Sequence, residues 1–202
     1  VIYSHEYSSS SSICACENTG KADSFPNCRK SDKIISFSQL NEALKTTEFD
    51  DLTVVIAGSS KEDDKHPTID MESLNKKIVN FTSEGGNNGF ITIDSDKQLK
   101  DPQLSETYFY NIDIYAKSGS QSKEFVFGEL SFINSNLNGF VQSTFKINYF
   151  TCDTQILNSL NEIYITDNLI ITGDFDLSEK TIHFVNDDNS EDLKAFILKN
   201  SN

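Results

Sequence analysis

The cysteines, histidines, acidic residues and lysines of this 202-residue chain are the side chains able to do chemistry, and their spacing decides which chemistry is on offer. Cys14, Cys16 and Cys28 crowd into the first thirty residues, and Cys152 stands apart. A Cys-x-Cys followed by a third cysteine can form part of a zinc site, but zinc sites favour two separated pairs. The nearest histidine, His5, lies in a serine-rich stretch. Two disulfides are therefore the expected state, with free thiols or a metal as the alternatives. Four cysteines allow three pairings, and the spacing does not choose among them. Because Cys152 is the one cysteine outside the N-terminal segment, one bridge is expected to tie that segment to it. Asn80-Phe81-Thr82 is the sole glycosylation sequon and makes Asn80 the candidate acceptor. With the cysteines it points to a secreted or extracellular, surface-exposed protein.

Catalytic constellations are thin. No Ser/His/Asp assembly is readable from His5, His66 and His183. His183 alternates within a strand-like run and is expected to face solvent, and His66 precedes Pro67 in a charged turn. Asp167 and the pair Asp187-Asp188 are the acidic candidates for acid–base work, which needs two carboxylates at a defined separation. The acidic turns at 62–64, 174–176 and 187–192 offer hard oxygens to calcium, but none has EF-hand spacing, so no cofactor is expected and calcium is the one ion considered. Gly85-Gly86 lacks the lysine and helix of a phosphate loop. Aromatic residues are the best binding candidates. If alternation puts Tyr110 inside, Phe109 and Tyr115 face outward, where they can stack on a sugar or dock a protein. Stacking inside the core accounts for the same aromatics equally well.

Charge excludes whole classes of partner. Seventeen Lys+Arg against 31 Asp+Glu give −14, and Arg29 is the single arginine. Nucleic acid and anionic lipid are bound by neutralising phosphates, so neither is an expected partner. No apolar run approaches the roughly 18 residues of a membrane span.

Residues 1–32 read as a Ser-rich, Cys-containing N-terminal segment, and 33–202 as the body. Phe37, Leu40, Ala43 and Leu44 recur at helical spacing, and Ser36 with Gln39 forms a capping box, so a short amphipathic helix is predicted over about 36–47. The β-branched run Thr53–Ala57 follows and ends at Gly58. Beyond it lie many short strand-like runs separated by Asn, Asp, Ser and Gly, with no second strong helix. The chain is therefore all-β. Asn88-Gly89 and Asn138-Gly139 favour an antiparallel β-sandwich, because Asn-Gly is a hairpin signal. A recurrence of roughly 20 residues favours a parallel solenoid instead.

The segment from Phe37 to Gly58 resembles the start of right-handed parallel β-helix proteins of the pectin-lyase-like group, in which a Phe-x-x-Leu-x-x-Ala-Leu helix plugs the first turn. Surface proteins of the polymorphic-membrane-protein or adhesin type share the Ser/Asn/Lys-rich texture of the rest. The resemblance implies a right-handed parallel β-helix with an N-terminal capping α-helix. It also implies a role in adhesion or in binding a glycan or a host or cell-surface protein, without catalysis. A polysaccharide lyase or glycoside hydrolase is the alternative, although the hydrolases' Gly-His-Gly motif is absent and Arg29 precedes the plug. A structural coat or filament component is a second alternative. The stretch Leu193–Asn202 reads as a strand without a cap, so the chain is also read as a fragment of a longer protein, with end-to-end self-association as a further expectation.

Overall fold

The computed structural model describes residues 10–62, 65–119, 123–174, 182–185 and, for the backbone alone, 195–199. In chain order the strands and helices are β1 (Ser11–Cys16), β2 (Lys33–Ser36), α1 (Leu40–Thr46), β3 (Asp51–Ala57), β4 (Thr68–Asp70), β5 (Ile78–Ser83) and β6 (Gly89–Asp94). Then come β7 (Glu106–Tyr110), β8 (Ile112–Ala116), β9 (Glu124–Ile133), β10 (Asn136–Asn138), β11 (Thr144–Asp153), α2 (Thr154–Asn158), β12 (Glu162–Thr172), β13 (Ile182–Phe184) and β14 (Ala195–Lys199). Single 3-10 turns stand between several of them.

Every pairing among these strands is parallel. The larger sheet runs β13-β12-β11-β9-β7-β5-β3-β1-β2, with β14 also on β12, and the smaller runs β10-β8-β6-β4. The antiparallel sandwich is thereby overturned. Asn88-Gly89 leads into β6 and Asn138-Gly139 leaves β10, and neither joins a hairpin. Asn138-Gly139 supplies a turn conformation, with Gly139 at φ +85°, while Gly89 is itself a strand residue of β6, and neither reverses the pairing.

The long strands bend. Thr144–Ile147 of β11 pairs with Glu124–Phe127 and with Glu162–Ile165, whereas Tyr149 onward pairs with Glu129 onward and with Asn168 onward. The larger sheet therefore has a main arm and a flank arm, and β9, β10 and β11 lead the chain from flank to main arm, across the smaller sheet and back to the flank. Inward side chains stack in rows along this repeat. Val54, Phe81, Phe109 and Phe132 occupy successive positions of one row, and neighbouring phenylalanine rings in it lie 5.3 Å apart at 13°. Rings this close gain stacking energy beyond their buried area.

At the start of the fold, Ser36 N–H donates to Gln39 Oε1 at 3.0 Å, one half of the expected capping box. Leu40, Ala43 and Leu44 of α1 are buried in the core. The amide of Asn41 ties the helix to β4, donating to Thr68 O at 2.7 Å and accepting from Asp70 N–H at 3.0 Å. The sequence division at 32/33 is crossed by the sheet, because β1 lies between β2 and β3.

The cysteine expectation needs correction. Alternation in β1 puts Cys14 and Cys16 on its outer face, where residues 19–30 fold over them. Cys14 is bridged to Cys28, with 5.1 Å between their Cα atoms. Cys16 and Cys152 are buried free thiols. Cys152 lies in β11, five strands from β1 in the sheet order. At about 4.8 Å per strand the gap is about 24 Å, against the roughly 4.4–6.8 Å that a disulfide spans.

Candidate functional site

The flank arm carries a groove of ≈ 640 Å³ on its outer face, where register fixes which side chains meet. One row across the strands is Glu124, Thr144 and Glu162. The next, two residues further along each strand, is Val126, Lys146, Tyr164 and His183. Asn148, Thr166 and Val185 close the groove on the side of the bend. The strands alternate Phe125, Phe145 and Ile163 inward with these polar residues outward, so the core row beneath holds the polar row above.

Contacts within the groove follow the rows. Lys146 Nζ lies 2.8 Å from Glu124 Oε2, and this hydrogen bond, joined by the carboxylate's charge, raises the lysine's pKa. Its ammonium stands 6.0 Å from the centre of the Tyr164 ring. His183 stacks on that ring at 4.4 Å and 11°. The Tyr164 hydroxyl donates to Glu162 Oε2 at 3.4 Å. At the bend, Thr166 and Asp167 together oppose Asn148, a bulge that turns the strand from flank to main arm. Such an array offers hydrogen-bond donors, acceptors, an ammonium and paired ring edges at fixed spacings.

No family model, curated protein or solved structure matches this chain.

The residues singled out from sequence are scattered. Phe109, expected to face outward, is 2% exposed and sits within the phenylalanine row. The reason is a break in parity. Residue Asn111 adopts φ +56° between β7 and β8, so the two strands are separate and Tyr110, not Phe109, points out. Tyr115 is half-buried on the outer side of the smaller sheet, near Phe90 (6.3 Å) and His66 (6.2 Å). Its hydroxyl pKa is raised by burial and by the Asp113 charge. Beside it, Asp113 Oδ1 accepts from the amides of Asn88 and Asn136 at 2.7 and 2.6 Å. Asn80 is half-buried on β5, in register with Tyr108. His66 bridges Ser60 O and Thr92 Oγ1 at 2.9 and 2.8 Å. Asp167 lies in the bulge next to Thr166, which lines the groove. Asp187, Asp188 and much of the acidic turns lie outside the described residues.

Glu124, Lys146, Glu162 and Tyr164 were not legible as a set. Each lies in an alternating run, but turns of 20 residues (124 to 144) and 18 residues (144 to 162) bring them into register, and only the pairing reveals those offsets. Among the described residues no three His, Cys, Asp or Glu side chains gather as metal ligands, and no helix is long and apolar enough to cross a membrane.

Proposed function

We propose that this chain is a right-handed parallel β-helix module of a secreted or cell-surface protein that binds saccharide through the flank groove, without catalysis. The observation that carries the reading is the groove itself: carboxylate, ammonium and hydroxyl groups stand in strand register around the Tyr164 ring, on which His183 stacks, with the Asn148 amide at the bulge. Sugars present hydroxyls and apolar ring faces together, and sites that bind them combine a few placed polar groups with aromatic surface. The return of the chain to the same parallel rows supports the β-helix, and the Cys14–Cys28 bridge supports an oxidising compartment. A binding role fits the lysine better than a lyase role does. Glu124 holds Lys146 in its ammonium form, whereas a proton-abstracting base must be neutral. The aromatic surface around Tyr115 supplies a second contact for an extended glycan or a protein.

The test is a titration of the purified chain with neutral, amino and acidic oligosaccharides by calorimetry, together with an assay for new reducing ends and unsaturated products. Saturable binding that Tyr164→Ala weakens about tenfold or more, with no product, is the expected outcome. Turnover lost on replacing Lys146 or Glu162 would install the lyase or hydrolase reading instead.

A further inference from the structure

The groove's two glutamates are not equivalent. Glu124 is committed to Lys146 through a 2.8 Å ion pair. Glu162, one strand beyond Thr144 in the same row, makes no ion pair among the described residues. Its one hydrogen bond there is the long 3.4 Å contact from the Tyr164 hydroxyl. Among the described residues the groove thus holds two carboxylates and one ammonium, and the ammonium is paired with Glu124, which leaves one carboxylate without a described counter-ion in a chain of net charge −14. Screening at physiological salt acts beyond about 8 Å, so a group lodged in the groove feels this carboxylate directly.

We propose that Glu162 makes the groove selective for sugars bearing a free amine, its carboxylate serving as counter-ion to the ligand's ammonium. This rests on the saccharide-binding reading above. A charge-assisted hydrogen bond to an ammonium is stronger than one to a neutral hydroxyl or acetamide. Thr144 and Asn148 lie on either side of Lys146 and can hold neighbouring hydroxyls. A sugar acid finds Lys146, the ammonium among the described lining residues, paired with Glu124 and meets the Glu162 carboxylate besides. A neutral sugar gains the hydrogen bonds but not the charge.

The experiment compares a glucosamine trimer, its fully N-acetylated counterpart and a galacturonate trimer, at a pH where the amine is protonated, on the full chain and on Glu162→Gln. Glu129→Gln, on the main arm outside the groove, is the control, and thermal melting checks the fold of each variant. The expected result is a glucosamine affinity about tenfold above that of the acetylated trimer, no detectable uronate binding, and a smaller preference when salt is raised to about 0.5 M. Glu162→Gln should abolish the difference between the glucosamine and acetylated trimers, and Glu129→Gln should keep it. Saccharide binding without a preference for the amine, or a preference that survives Glu162→Gln, overturns the selectivity while leaving the groove's function standing. No binding of any trimer overturns both. A Glu162→Gln protein that fails to fold is replaced by amine-against-acetyl competition on the wild-type chain, where equal competition overturns the proposal.

Discussion

The Phe109 ring lies parallel to that of Phe81, 5.3 Å away at 13°, and Phe132 repeats the same spacing and angle on its other side. Three consecutive passes of the chain through the main arm are thus joined by one aromatic column. Phe109→Ala removes its centre. We predict a loss of about 3–5 kcal/mol, as for large-to-small changes in well-packed cores, measured by urea unfolding. A loss under about 1 kcal/mol would mean that the ring faces solvent, as the sequence pattern alone suggests.

The cysteine arrangement predicts two thiols per chain. Without reductant, thiol titration in denaturant should find Cys16 and Cys152 and no others, and peptide mapping should find Cys14 joined to Cys28. Under native conditions both thiols should react slowly with alkylating agents, since burial pushes each thiol's pKa up and blocks access. Removing the bridge by Cys14→Ser with Cys28→Ser should cost about 3 kcal/mol, the value expected for a loop of roughly 15 residues. A mapped peptide linking Cys152 to the N-terminal segment would contradict the register of the whole sheet.

Asn111 and Asn134 turn the chain from the main arm toward the smaller sheet with φ of +56° and +49°. L-residues other than Gly, Asn and Asp resist this conformation by about 1–2 kcal/mol. Asn111→Ala should therefore destabilise by about that much and Asn111→Gly by less, as read from unfolding midpoints. Equal effects of the two substitutions would mean that the side chain, not the backbone angle, matters there.

These corners show what could and could not be read in advance. The capped helix and the strand after it were legible because Ser36, Gln39, Leu40 and Leu44 sit within one local pattern, and so was the all-β character of the rest. Inside and outside were not legible at Tyr108–Ala116, because one residue with positive φ resets strand parity, and the asparagine that permits it is one of many in the chain. The groove was hidden for a different reason. Its rows join residues 18 and 20 positions apart, and unequal turns elsewhere blur any period that would align them.

Acidification should reveal the lysine–carboxylate edge of the smaller sheet. Burial pushes the Asp94 carboxyl up, but hydrogen bonds from Lys117 and the Asp96 N–H, with the charges of Lys117 and Lys123, outweigh it and hold the pKa below the ordinary range. A depressed folded pKa contributes stability that is present above the unfolded value near about 3.9 and is lost as pH falls through the folded one. Asp94→Asn should therefore lower stability at neutral pH and flatten the fall in stability below about pH 4. Parallel pH curves for wild type and variant would remove Asp94 from the account.

The most direct test of the groove as a saccharide site is a backbone amide NMR titration with a glucosamine trimer. Shifts that saturate and map to Lys146, Asn148, Glu162, Tyr164 and Thr166, leaving Phe90, Thr92 and Tyr115 unmoved at low ligand, are the predicted result. Saturable shifts confined to the surface around Tyr115, or no shifts at all, would contradict it.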